Sequence, residues 1–200
     1  MAVAAIQGLL IPAFDEGRDA LVIVSAIAGA LALLASRAAL RRHTPAGVLA
    51  TEAGRRSALV FGVLFVHSLP EGLAIGSAYA STRSGLSAFV IAAIAIQNVP
   101  EGTATAIPMQ AAGYSARAQF WAAVLTSAPQ VPGALLAWLA VEQISGLLPA
   151  AFALAAGAML MLVAADLLPA AWVTGSHGRV ALGCLLGALT MAGIAALLQV

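Results

Sequence analysis

Two short polar motifs, each ending in Pro-Glu-Gly, interrupt stretches of the chain that are otherwise almost wholly apolar. The first reads His67-Ser68-Leu69-Pro70-Glu71-Gly72, and the second, thirty residues later, reads Gln97-Asn98-Val99-Pro100-Glu101-Gly102. A carboxylate inside a membrane-length apolar segment is costly unless it lines a cavity, finds a partner or binds an ion. The pair of motifs therefore predicts a metal site in a transport path.

The spacing within each motif supports this prediction. Residues four apart on a helix share a face, so His67 projects with Glu71, and Gln97 projects with Glu101. An imidazole, two carboxylates and an amide oxygen suit a divalent first-row metal such as zinc, iron or manganese. Each motif also places a proline inside its helix, which frees one backbone carbonyl and kinks the chain. Such carbonyls are tolerated in a membrane where they line a polar cavity.

The composition indicates the class of protein that must position these residues. The chain is 62% hydrophobic and 8% charged, with a mean hydropathy of +1.00. A soluble domain has about 45–50% apolar and about 25% charged residues. The net charge of +1 comes from scattered arginines and no lysine, which gives no indication of nucleic-acid binding. Cys184 has no partner for a disulfide, and we expect it to be a small buried side chain.

The apolar pattern predicts an all-α integral membrane protein, a polytopic helical bundle that forms a single transmembrane domain over residues 1–200. A spanning helix needs about 20 apolar residues. The chain offers six full spans and a short N-terminal partial helix at 1–14. We place the spans at 20–40, 58–80, 86–107, 118–141, 148–170 and 180–200.

Arginine placement predicts the orientation of the bundle. Five arginines lie in or beside the break at 41–57. If that break is a cytoplasmic loop, strict alternation places seven arginines inside and two outside, in agreement with the positive-inside tendency. The short turn around Arg83 makes the two motif-bearing helices adjacent and antiparallel, with their motifs at similar depth.

The two motifs together resemble the signature of the ZIP (Zrt/Irt-like) divalent metal transporters, especially their bacterial branch. The resemblance implies a secondary transporter and not an enzyme. The implied substrate is zinc before iron, manganese or cadmium, and it moves toward the cytoplasm across the inner cell membrane. The resemblance implies no prosthetic group, and it is compatible with a homodimer, which no residue specifies. Its implied metal ligands are His67, Glu71, Gln97 and Glu101, with Asn98 at a second ion.

The sequence departs from the family pattern at three places. Ser68 stands where asparagine is usual, and Gln130 stands where the family's sixth helix often carries a glutamate, so we expect one well-formed ion site. Both residues remain weaker ligand candidates. The resemblance also implies that the family's first helix is missing and that 1–14 is the end of its second.

A four-residue sequence that occurs twice in the chain, in closely similar form, suggests an inverted repeat. Leu10-Ile11-Pro12-Ala13 matches Leu167-Leu168-Pro169-Ala170, and inverted repeats are common in carriers. Asp166, just before the second copy, is either a helper residue on the inner side of the path or an interfacial charge.

Two alternative functions stay open from the sequence. One is a transport-inactive, truncated family member. The other is an intramembrane metalloenzyme, although zinc proteases place two histidines four apart around a glutamate. His43 and His177 lie in predicted loops and do not form that motif.

Overall fold

The computed structural model describes residues 1–43, 52–83, 85–174 and 176–198, and over these residues the secondary structure is helical. We number the helices in chain order. They are α1 (Ala2–Phe14), α2 (Asp19–His43), α3 (Glu52–Ala80), α4 (Leu86–Ala111), α5 (Ala116–Thr126), α6 (Gln130–Gln143), α7 (Leu148–Leu162), α8 (Leu168–Thr174) and α9 (His177–Leu198).

Six helical stretches are long and apolar enough to cross a membrane, and α1 is a shorter apolar helix. The prediction of an all-α polytopic membrane bundle is therefore confirmed. The span predicted at 118–141 is divided into α5 and α6 by a turn at 127–129, where backbone hydrogen bonds join residues three apart, such as Gln130 N to Ser127 O. The break predicted at 41–57 is helical over 41–43 and 52–57, and residues 44–51, within the predicted cytoplasmic loop, lie outside the described residues.

The two copies of the repeated four-residue sequence, at 10–13 and 167–170, adopt the same local structure. Residues Ile6–Leu10 in α1 and Val163–Leu167 between α7 and α8 are each π-helical, and each is followed by an α-helical turn with proline at its second position. A π turn is rare and accommodates one residue more than the α-helix. The shared conformation supports the predicted inverted-repeat character.

Two pairs of helices pack so closely that their backbones touch. A Cβ on Gly72 or Gly76 of α3 would overlap the carbonyl of Gln130 or Ala134 in α6. In the second pair, a Cβ on Gly157 of α7 would overlap the Ala26 carbonyl of α2. Small residues permit such close approach between membrane helices. The fold thus contains a tight α3–α6 pair and a tight α2–α7 pair.

The largest apolar cluster fills the half of the bundle that is near Arg83, which we call the Arg83 end. Its buried side chains come from α1, α7, the beginnings of α2 and α4 and the ends of α3 and α9, and the largest are Phe89, Phe152, Leu9 and Leu86. At the surface of this end, Arg83 Nη1 lies 2.9 Å from Asp15 Oδ2.

Helix α9 lies at the edge of the bundle, and only 11% of the residues in its most apolar stretch are buried. Cys184 on this helix is exposed, so our expectation of a buried cysteine was wrong. The apolar run around it faces outward, where a membrane protein contacts lipid.

Candidate metal centre

The two Pro-Glu-Gly motifs lie on adjacent antiparallel helices, as their spacing predicts. Helix α3 carries His67 and Glu71, and α4 carries Gln97 and Glu101. The connection between the helices is short because Gly85, immediately before α4, adopts a φ of 77°, which favours glycine. Both helices remain continuous through Pro70 and Pro100.

Three of the predicted ligands converge inside the bundle. His67, Glu71 and Glu101 each offer a ligand atom, and these atoms lie within 4.8 Å of one another. His67 Nε2 is 3.4 Å from Glu71 Oε1 and 4.0 Å from Glu101 Oε1. Two ligands of one tetrahedral zinc ion, each bound at about 2.0–2.2 Å, lie roughly 3.3–3.6 Å apart. The separations are therefore close to those of ligands that share one ion.

These side chains are buried, and several of their polar atoms have no hydrogen-bond partner. His67 and Glu71 are 0% exposed, and Gln97 and Glu101 are 6% exposed. His67 Nδ1, His67 Nε2, Gln97 Oε1 and Glu101 Oε1 are buried without a hydrogen bond. Most buried polar atoms in proteins are paired, so this concentration of unpaired nitrogen and oxygen atoms fits a set of metal donors.

Glu71 is also held by two amides, one from each neighbouring helix. Gln97 Nε2 donates to Glu71 Oε1, and Gln130 Nε2 donates to Glu71 Oε2 at 2.7 Å. Gln130 Nε2 also donates to Asn98 Oδ1 at 3.1 Å, and Asn98 Nδ2 lies 3.4 Å from Gln130 Oε1. The site therefore extends to a third helix, α6, through Gln130.

The remaining candidates have different surroundings. Ser68 Oγ is buried and donates to the Leu64 carbonyl of its own helix at 3.1 Å. Asn98 exchanges hydrogen bonds with the side chain of Gln130. Asp166 falls in the second π-helical turn, and its side chain lies outside the described residues. Their predicted roles as ligands stay predictions.

Two buried polar residues in the apolar helices were not predicted from the sequence to be site residues. Gln7 Oε1, in the first π-helical turn, and Ser77 Oγ, in α3, are buried and have no hydrogen-bond partner. The only signal in the sequence was a single polar residue within an apolar stretch, and neither residue belongs to a repeated motif.

Comparison with known proteins gives a consistent result. The family model described as ZIP zinc transporter matches residues 22–195. A relative from Arabidopsis thaliana is 28% identical over 189 residues, which is 92% of this chain and 30% of the relative. Zinc transporter GufA of Myxococcus xanthus is 36% identical over 114 residues, covering 56% of this chain and 45% of GufA.

A third relative is the human zinc transporter ZIP11, which is 33% identical over 143 residues, covering 68% of this chain and 42% of ZIP11. The matched regions thus cover between 30% and 45% of the length of these three relatives.

Proposed function

Because the chain belongs to the ZIP zinc transporter family, we propose that it carries a divalent transition-metal ion, zinc in the first place, across the membrane. The observation that carries this proposal is the buried group of His67, Glu71 and Glu101, whose ligand atoms lie within 4.8 Å of one another. We propose that these three residues, with the Gln97 side-chain oxygen, bind the transported ion.

The chemistry of the donors favours a transition metal over a hard cation. Calcium and magnesium take oxygen ligands and magnesium keeps several waters, whereas imidazole suits zinc, iron, copper and nickel. The absence of a thiolate among these donors distinguishes them from a structural zinc site, which is usually rich in cysteine. Carboxylates and one histidine are donors that can bind an ion and release it again.

The charges of the donors match a doubly positive ion. Two ionised carboxylates in a low-dielectric interior are expensive unless they are compensated, and a divalent cation between Glu71 and Glu101 compensates both. The amide groups that contact Glu71 are neutral dipoles and leave that formal charge unchanged.

Helix packing supports movement of the site-bearing helices against the rest of the bundle. Backbone contacts at the glycines couple α3 to α6 and α2 to α7. Helices α3 and α7 also pack on each other, and both contribute small buried residues to the apolar cluster, Ala74 and Ala78 from α3 and Ala155 and Ala156 from α7. Helices that pack through small side chains can slide past each other without displacing large side chains, which is the shear type of motion.

The apolar cluster supports alternating access. It fills the bundle between the site and the Arg83 end, where Ala74, Val90 and Ile94 lie within one or two helical turns of the ligands. A hydrated ion cannot pass through such packing, so we propose that this half opens when the site-bearing helices shift.

We further propose that the break at 41–57 lies on the cytoplasmic side, that the protein resides in the inner cell membrane, and that the ion moves toward the cytoplasm. The arginine distribution supports this orientation through the positive-inside tendency. Iron, manganese and cadmium are proposed as further substrates because the donor set also suits them.

Uptake into proteoliposomes tests the proposed function. The purified chain is reconstituted and zinc, iron, manganese and cadmium are supplied separately, with Glu71→Gln, Glu101→Gln and a control, Glu142→Gln, at an exposed position near the end of α6. Loss of an outer-shell partner of a metal ligand costs about 10–100-fold in affinity or activity. We therefore expect each site variant to lose at least about 10-fold of the zinc uptake, and the control to retain it.

Uptake that is equal in all variants would refute the site. A chain that binds zinc in solution but moves none would instead favour the transport-inactive alternative. Metal-dependent cleavage of a peptide substrate, abolished by the same variants, would favour the metalloenzyme alternative.

A further inference from the structure

Gln130 occupies a position between two oxygen atoms that could otherwise bind a cation. Its Nε2 is 2.7 Å from Glu71 Oε2 and 3.1 Å from Asn98 Oδ1. A primary amide nitrogen carries two hydrogen atoms, and these two contacts use both of them. The amide group therefore holds the two oxygens from α3 and α4 together from the side of α6.

The backbone fixes the amide in this place. Gln130 is the first residue of α6, directly after the turn that separates α5 from α6. Gly133 lies against α3, and a Cβ there would be 2.6 Å from the Leu69 carbonyl oxygen. Since Gly72 also touches the backbone of Gln130, the side chain starts close to Glu71 and reaches it directly.

The two oxygens of Glu71 thus have different surroundings. Oε1 lies 3.4 Å from His67 Nε2, on the side of the proposed ion, whereas Oε2 faces Gln130. A carboxylate held in this way presents one oxygen to the ion and has the other engaged by a neutral donor. It can bridge a second cation only if the Gln130 amide moves away and loses both of its hydrogen bonds.

We propose that Gln130 is a positioning residue that orients Glu71 and limits the centre to one divalent ion. This inference rests on the proposed function, because it assigns a stoichiometry to the same site. The amide nitrogen stands where a second ion would contact Glu71 Oε2 and Asn98 Oδ1, and it contributes hydrogen-bond donors there without adding a charge.

Replacing the amide by a carboxylate should reverse this property. Glu in place of Gln130 would put an anionic oxygen beside Glu71 Oε2 and Asn98 Oδ1, so that two carboxylates and an amide oxygen surround one point. Like charges at this separation repel strongly in a buried setting, and a second divalent cation relieves the repulsion. Asn98→Asp introduces the same charge from the α4 side but leaves the Gln130 amide in place.

The test is the number of zinc ions bound per chain at saturation, measured by equilibrium dialysis with elemental analysis on the intact chain in detergent. The variants are Gln130→Glu and Asn98→Asp, and the matched control is Gln143→Glu, which adds the same charge at an exposed position of α6. We expect one ion for the unmodified chain, for the control and for Asn98→Asp, in which the Gln130 amide remains, and two ions for Gln130→Glu. A gain of an ion cannot arise from a merely structural defect.

Gln130→Ala tests the positioning role separately. It removes the donor without adding a ligand, so we expect one ion bound about 10–100-fold more weakly, the range observed when an outer-shell partner of a metal ligand is lost. Unchanged affinity would overturn the positioning role.

The failures of the two proposals are distinguishable. Two ions in the unmodified chain or in Asn98→Asp, or one ion in folded Gln130→Glu, would overturn the inference while the metal site itself stands. No bound ion in the unmodified chain would overturn the proposed metal site and this inference with it. Gel filtration and circular dichroism identify the folded variants, and the stoichiometry of Asn98→Asp and the zinc affinity of Gln130→Ala test the inference if Gln130→Glu does not fold.

Discussion

The glycines that end the two Pro-Glu-Gly motifs are equivalent in sequence but have different surroundings, and this difference can be tested. Gly72 of α3 lies against the backbone of Gln130, whereas the nearest atom to a Cβ on Gly102 of α4 is Ala123 Cβ at 3.4 Å. We therefore expect Gly72→Ala to damage the protein and Gly102→Ala to be tolerated. Alanine is the smallest change that adds a Cβ, so the pair isolates the effect of close approach.

The magnitude follows from the distances. A Cβ on Gly72 would overlap the Gln130 carbonyl oxygen and would lie 2.8 Å from the Gln130 Cα, which is 0.6 Å short of the 3.4 Å at which ordinary contact begins. The backbone of α6 must therefore retreat, and overpacking of this kind costs about 1–3 kcal/mol. At Gly102 the added methyl makes an ordinary contact, and replacing a mid-helix glycine by alanine gains up to about 1 kcal/mol.

Two measurements on detergent-solubilised protein check this prediction. Equilibrium unfolding should show a loss of about 1–3 kcal/mol for Gly72→Ala and no loss for Gly102→Ala. Zinc affinity should fall for Gly72→Ala as well, because the retreat of α6 draws Gln130 away from Glu71. Equal stability of the two variants, or a less stable Gly102→Ala, would refute the close packing of α3 on α6.

Two further predictions concern contacts away from the metal centre. Gly157→Ala would place a Cβ on the Ala26 carbonyl of α2 and should lower the free energy of unfolding by about 1–3 kcal/mol. A Cβ on Gly187 of α9 has nothing within 4 Å, so Gly187→Ala should not lower the free energy of unfolding. Identical thermal unfolding midpoints for these two variants would contradict the tight α2–α7 pair. The Asp15–Arg83 ion pair, whose side chains are 52% and 39% exposed, should contribute no more than about 1 kcal/mol in a double-mutant cycle; a coupling energy of several kcal/mol would show that the pair is shielded from solvent.

The sequence allowed the architecture and the central part of the site to be predicted. Long apolar segments can cross a membrane only as helices or barrels, so hydropathy alone defines most of the spans. The four-residue spacing within each motif places two polar side chains on one helix face. The short turn between the motifs then brings His67, Glu71 and Glu101 together, as the structure does.

Other features depend on packing that a single sequence does not reveal. The break between α5 and α6 lies inside an apolar run, where hydropathy indicates one continuous span. Gln130 was a weaker candidate because it stands where the family often carries a glutamate. Its contact with Glu71 depends on how closely α6 approaches α3, which the glycine contacts decide. The π-helical turns were also not predicted, because the energetic difference between a π turn and an α turn is small compared with tertiary packing.

The electrical charge of the site has a consequence for the proposed transport cycle. With a divalent ion bound, the carboxylates of Glu71 and Glu101 are neutralised, and the membrane voltage exerts no net force on the loaded site. The same carboxylates without an ion or protons carry two negative charges, for which the voltage is worth at most about 4.6 kcal/mol per 100 mV. A negative cytoplasmic side would then drive the unloaded anionic site outward, so the voltage would accelerate the resetting of the carrier rather than the step that moves the metal.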